Sequence, residues 1–278
     1  MIESRFLSQL RFVLEDEARK KVKKYLDYSL NKEEYTYFID PFCMALSREH
    51  KLALEYILMQ FNLLNFNKLK YNKISSTFHL PGMEFKTEEE YKKHILNCIS
   101  VLTEKFLMIH PTVQTEQYPF DTIREIVRKA QRLLDDKINN PYIPVIKKKL
   151  ELSSSDQLEV KNVLSDILEY NETRNADLAM TTTMASGSLD YWEQDYEKWC
   201  HLFDCKVPEV NFLDLAFSDA DGAFQAFVRM GAKDGIWLWS RGALTILAAS
   251  VISSARFVVL SILRFQLMQA ENKDILSQ

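Results

Sequence analysis

The sequence predicts an all-α protein, an irregular multi-helix bundle of about ten helices in two lobes, with an apolar central helix near the C-terminus. Three observations predict this class. Only 6 of the 278 residues are glycine, about 2 % against a usual ~7 %. A chain so poor in the residue that tolerates positive φ disfavours sandwiches, propellers and phosphate-cradling glycine loops. Apolar residues recur at three- to four-residue steps along most of the chain, and neither strand alternation nor a long internal repeat emerges. The composition, 47 % hydrophobic and 27 % charged, is that of a folded chain rather than a disordered one.

The elements follow in order. Phe6, Leu10, Val13, Ala18, Val22 and Leu26 form one stripe of a long helix over roughly 3–30. Glu15, Asp16 and Glu17 each stand four residues before Arg19, Lys20 and Lys21, the favourable acid-before-base order. Asp40-Pro41 supplies an N-cap followed by proline, opening a helix that carries Leu46, Leu54, Ile57 and Phe61 to about Leu64. A short helix near 66–74 and a loop at Phe78–Phe85 are expected next. Thr87 and Glu90 form a capping box for a helix from Glu88 to Ile109, stopped before Pro111. Another begins near Pro119 and ends near Ile138.

Asn139-Asn140-Pro141-Tyr142-Ile143-Pro144 breaks the helical pattern and coincides with a change of charge sign. Residues 1–150 hold 25 basic and 20 acidic side chains, residues 151–278 hold 10 and 19. This predicts a basic lobe over 1–140, a linker over 141–153 and an acidic lobe over 154–278. In the second lobe Ser154 and Gln157 cap a helix to about Asn171. Thr181–Thr183 and Ala185–Ser188 are expected to form a mobile loop, with Ser188 capping the next helix. Pro208 opens a short helix, and Ser218 with Asp221 caps one that ends near Gly231.

Gly242–Leu263 is 22 residues with one charge, Arg256, long enough at about 1.5 Å per residue to reach ~33 Å. Arg256, four serines and a threonine weigh against a membrane span, so the preferred expectation is a buried helix over 242–268. Arg256 is then a buried charge, expected to pair with a carboxylate between Asp190 and Asp221.

Motifs that carry chemistry are sparse. Cys200-His201 with Cys205 falls short of a closed zinc site, and Asp219-Ala220-Asp221-Gly222 has its glycine too early for a calcium loop. His94 and Cys98 stand one helical turn apart on an apolar stripe that makes Cys98 a core residue. Asp135-Asp136-Lys137-Ile138-Asn139 resembles the aspartate-rich metal motif of terpenoid synthases. Asparagine replaces its last acid, and Asn162, Ser165 and Glu169 are spaced one residue short of that family's second motif. No metal, cofactor or catalytic residue is assigned.

The binding features are more numerous. Lys20, Lys23 and Lys24 form a candidate anion-binding patch, which raises a nucleic-acid role as an alternative. Trp192, Tyr196 and Trp199, with Trp237 and Trp239, are candidate anchors for a partner, and the acidic residues between them favour one with a basic surface. Four cysteines and a first twenty residues without a secretory core predict a cytoplasmic protein with reduced thiols. The expected function is therefore non-enzymatic binding and regulation of another protein, as an adaptor, inhibitor or effector-like regulator. Membrane association through 237–263 is the alternative.

Overall fold

The computed structural model describes residues 32–64, 70–72, 77–80, 82–110, 113–114, 117–151, 157–169, 176–202, 212–230 and 241–275. These form eight helices and one small sheet: α1 (Lys32–Leu63), β1 (Lys70–Asn72), β2 (Thr77–Leu80), β3 (Met83–Phe85), α2 (Glu88–Ile109), α3 (Phe120–Asp135), α4 (Tyr142–Glu151), α5 (Gln157–Glu169), α6 (Ala176–Leu202), α7 (Phe212–Met230) and α8 (Arg241–Ile275). The expected helix over 3–30 and the short one at Pro208 lie outside the described residues.

Helix α8 is the axis of the bundle. It packs against α1, α2, α3, α6 and α7, while α6 also meets α1, α5 and α4. Its Arg241–Phe265 stretch has mean hydropathy 2.1, and 72 % of its most apolar window is buried inside the molecule. By length and composition this helix is able to cross a membrane. The same all-round apolarity is what a helix covered by neighbours requires. One continuous core joins Ile57 and Phe61 of α1, Ile95 and Leu102 of α2 and Val127 of α3 to Trp192, Phe227 and Ile252 from the second half. Two lobes with separate cores are not evident among the described residues.

Several local expectations are corrected. Helix α1 runs through Asp40-Pro41 instead of starting there. Proline inside a helix removes one hydrogen bond and costs about 3 kcal/mol. Burial of Cys43, Leu46, Leu54, Ile57 and Phe61 along the same helix offsets it. The segment read as a helix and a loop is an antiparallel sheet, β1-β2-β3, with Lys70 opposite His79 and Phe78 opposite Phe85. Leu80 pairs with Met83, so the turn between β2 and β3 is two residues long, and Gly82 at φ +79° supplies its left-handed position. Strands of three and four residues are too short to show alternation. Phe78 stacks on Tyr91 at 4.9 Å, fixing the sheet to α2.

Helix α2 starts at the expected cap: the Thr87 hydroxyl accepts from the Glu90 N–H at 3.1 Å, while the Glu90 carboxylate reaches one residue past the cap and accepts from the Lys86 N–H at 2.8 Å. Residues expected to link two lobes are instead helix α4, with Pro144 in its first turn. The α3–α4 connection is pinned to α7. Gln225 accepts from the Ile138 N–H at 2.8 Å and donates to the Ile138 carbonyl, and Arg229 donates to the Leu133 carbonyl at 3.1 Å.

The expected mobile loop over 181–188 is the interior of α6. Thr181 and Thr182 turn their hydroxyls onto the carbonyls of Asp177 and Leu178, each at 2.8 Å, so their polarity is absorbed without leaving the helix. Ser188 caps nothing there. Ser218 likewise lies inside α7, where its hydroxyl meets that of Ser253 at 3.2 Å.

Candidate functional site

The most chemically loaded place in the described fold is the junction of α1, α6, α7 and α8. Leu46, His50, Ala53 and Leu54 share the inward face of α1, so His50 enters the core with its apolar neighbours. Asp219 does the same on α7 between Leu215, Ala216 and Ala220. Ser188 and Trp192 stand one turn apart on α6, and Ser250 and Ser254 one turn apart on α8. All six side chains are buried.

Their contacts define a short network. The Trp192 indole N–H donates to Asp219 Oδ2 at 2.7 Å. The Ser250 hydroxyl donates to the Asp219 carbonyl at 3.1 Å, and the Ser254 hydroxyl donates to the Ser250 carbonyl at 2.8 Å. His50 Nε2 lies 2.8 Å from Ser254 Oγ. Because the Ser254 proton is directed at Ser250, the imidazole is the donor there, which assigns the proton to Nε2. Asp219 Oδ1, Ser188 Oγ and His50 Nδ1 are left without a hydrogen bond.

Burial decides the protonation states. It lowers the His50 pKa to about 3, aided by the Lys51 charge. It also pushes the Asp219 carboxyl up to about 7, against the opposing pull of the Trp192 indole N–H. Near neutral pH the imidazole is uncharged and the carboxyl is shared between its acid and ionised forms.

Serine, histidine and aspartate together invite a comparison with a nucleophilic triad, and the geometry differs from one. In a triad the serine and the acid occupy opposite ring nitrogens. Here both face Nε2, Ser254 at 2.8 Å and Asp219 Oδ2 at 3.7 Å. The serine proton is held by a backbone carbonyl, and the whole set is enclosed. The arrangement ties four helices together by a polar core. A second buried pair, Glu49 Oε2 with His110 Nε2 at 3.2 Å, joins α1 to the C-terminal cap of α2.

The residues singled out from sequence fall elsewhere. Trp192, Tyr196 and Trp199 are 0 %, 1 % and 0 % exposed, which corrects their assignment as surface anchors: the aromatic stripe is the seam of the bundle. The Trp199 indole donates to the Tyr191 hydroxyl at 2.9 Å, and its ring meets Phe61 edge-on at 6.3 Å. Trp237, Trp239, Lys20, Lys23, Lys24 and Cys205 lie outside the described residues.

Arg256 keeps 22 % of its side chain exposed and pairs with Asp135 of α3 at 3.4 Å, not with an acid between Asp190 and Asp221. The predicted burial is therefore partial, because this part of α8 faces α3 at the edge of the bundle. Asp135 and Asp136 stand at the solvated end of α3, and Asp136 pairs with Arg229. Cys200 is buried and His201 exposed, so they face apart. His94 Nε2 and Cys98 Sγ do meet, at 3.5 Å. Burial raises the Cys98 pKa and lowers that of His94, which is the direction of a neutral pair. Among the described residues no group of three His, Cys, Asp or Glu side chains is placed to hold a metal ion.

The buried cluster was legible in part. A histidine and an aspartate on otherwise apolar helix faces are the signal, whereas pairing His50 with Ser254 across 204 residues requires the fold. Comparison with protein-family models, with curated proteins and with solved structures finds no match to this chain.

Proposed function

We propose that this chain is a non-enzymatic helical protein that binds and regulates another protein, using the outer face of α1 beside α6. One observation carries the reading. Met59 and Leu63 stand one turn apart on the exposed side of α1, Leu63 being 69 % exposed, and Met44 lies about four turns earlier on that side beyond Arg48, Lys51 and Glu55. Exposed apolar neighbours such as Met59 and Leu63 give a partner a patch to cover, and methionine adapts its shape to what it meets.

The charge beside these residues favours a basic partner. Glu55 lies on the same face, and Asp190, Glu193 and Glu197 come from the adjoining α6, with Lys51 reaching Asp190 at 3.9 Å. A segment that pairs apolar residues with lysine or arginine complements such a border. This surface takes over the role first expected of the tryptophans.

The test is capture of a stoichiometric partner from native lysate by the full chain, repeated with Met59→Glu/Leu63→Glu. Loss of that one partner, with helicity and melting temperature retained, supports the proposal. An unchanged partner, or the lack of any stoichiometric one, overturns it.

A further inference from the structure

We infer that the groove between α3 and α8 binds a small phosphate ester, its phosphoryl group held by Arg128, Arg132 and Arg256. The groove is an open, shallow one of about 770 Å³, a volume within the ~300–1,000 Å³ of small-molecule sites. Arg124, Arg128 and Arg132 recur every fourth residue and line it from α3, and Arg256 lines it from α8. These four guanidinium groups share the concavity with the carboxylates of Asp121, Glu125 and Asp135, which leaves its lining one positive charge in excess.

Their present pairing shows where that anion belongs. Arg124 is engaged by Asp121 at 3.5 Å and lies over the Phe120 ring at 4.4 Å. Arg256 reaches Asp135 with one terminal nitrogen at 3.4 Å, while its Nε is buried without a partner. Arg128 and Arg132 make no ion pair with a described residue. Glu104 faces Arg124 and Arg128 from α2, and its carboxylate offsets part of their charge. Gln131 is held by Ser100 beneath the same wall. The middle of the groove thus keeps three cations with donor capacity to spare, and planar guanidinium forks suit phosphate oxygens.

The acids on the lining select the kind of phosphate. Asp121 and Glu125 stand toward one end of α3 and Asp135 at the other. Carboxylates at both ends repel a continuous polyanion and accept a ligand whose charge is gathered at one point. The chemistry is that of a phosphate monoester, and a nucleic-acid backbone is disfavoured.

Phenyl phosphate and inorganic phosphate are titrated into the full chain at constant ionic strength, followed by calorimetry and ³¹P shifts. Saturable binding of phenyl phosphate is expected, with affinity reduced roughly tenfold or more in Arg128→Gln/Arg132→Gln. Both positions are exposed, so the variant should keep the wild-type melting temperature as a control for folding. Tighter binding of the ester than of inorganic phosphate places the organic group in the groove. The inference is overturned by no saturable binding of either probe up to about 10 mM, by equal affinity in the variant, or by an oligonucleotide that binds more tightly than the ester.

Discussion

Gly187 of α6 faces Ser47 of α1 so closely that a Cβ on Gly187 would lie 1.8 Å from the Ser47 hydroxyl oxygen and 3.0 Å from its Cβ. The two helices therefore approach through a missing side chain. Gly187→Ala gains about 1 kcal/mol of helix propensity and loses more through overpacking, typically ~1–3 kcal/mol. Net destabilisation is expected in urea unfolding. In a Ser47→Ala background the 1.8 Å contact is gone and the 3.0 Å approach of the two Cβ atoms remains, so the same substitution should cost clearly less. An equal penalty in both backgrounds would show that the approach is not what requires glycine.

Gly222 of α7 presents a harder obstacle. A Cβ there would meet Ser253 Cβ at 2.6 Å, the Ala249 carbonyl oxygen at 2.8 Å and Ser250 Cα at 3.0 Å. Two of these atoms belong to the backbone of α8 and cannot rotate away. Gly222→Ala is expected to cost more than Gly187→Ala, and Ser253→Gly to relieve only part of it. Melting temperatures of the three variants give the ranking, and full rescue by Ser253→Gly would contradict it.

These close approaches explain which parts of the fold were legible in sequence. Helix α2 announces itself through local chemistry, Thr87 and Glu90 at one end and Pro111 beyond the other, and it was read to the residue. The buried course of α8 follows from its apolarity. Residues 181–188 of α6 signal a loop when considered alone, because they are rich in threonine, serine and glycine. In the fold they are the small and self-bonded residues that let α1 come near. The site is legible only in part for the same reason: His50 acquires its meaning when α1 meets Asp219 and Ser254, which lie far along the chain on α7 and α8.

The His94–Cys98 contact predicts a quiet thiol. With the Cys98 pKa raised by burial and the His94 pKa lowered, thiolate is scarce at neutral pH. Alkylation of Cys98 by iodoacetamide should be slower than that of free cysteine at pH 7, and His94→Ala should leave the rate nearly unchanged. A rate above that of free cysteine, lost in His94→Ala, would reveal an activated pair.

The His50 and Asp219 shifts predict pH dependences of opposite sign. The folded pKa of His50, about 3, lies below its unfolded value of 6.5. Its contribution is complete above pH 6.5 and is lost as pH falls toward 3, because only the unfolded chain takes up the proton. The folded pKa of Asp219, about 7, lies above its ordinary 3.8. Stability from this group is greatest below pH 3.8 and declines as pH rises to 7, since the unfolded chain ionises first. Each effect is on the order of 4 kcal/mol across its window, and between pH 3.8 and 6.5 they oppose one another. Asp219→Asn, which keeps an acceptor for Trp192, should therefore gain stability relative to wild type as pH rises from 4 to 7. His50→Gln should gain relative to wild type as pH falls from 6.5 to 4. Unfolding free energies at matched ionic strength provide both difference curves. Two flat curves, or two curves of the same sign, would show that the buried cluster does not set the charge balance of the core.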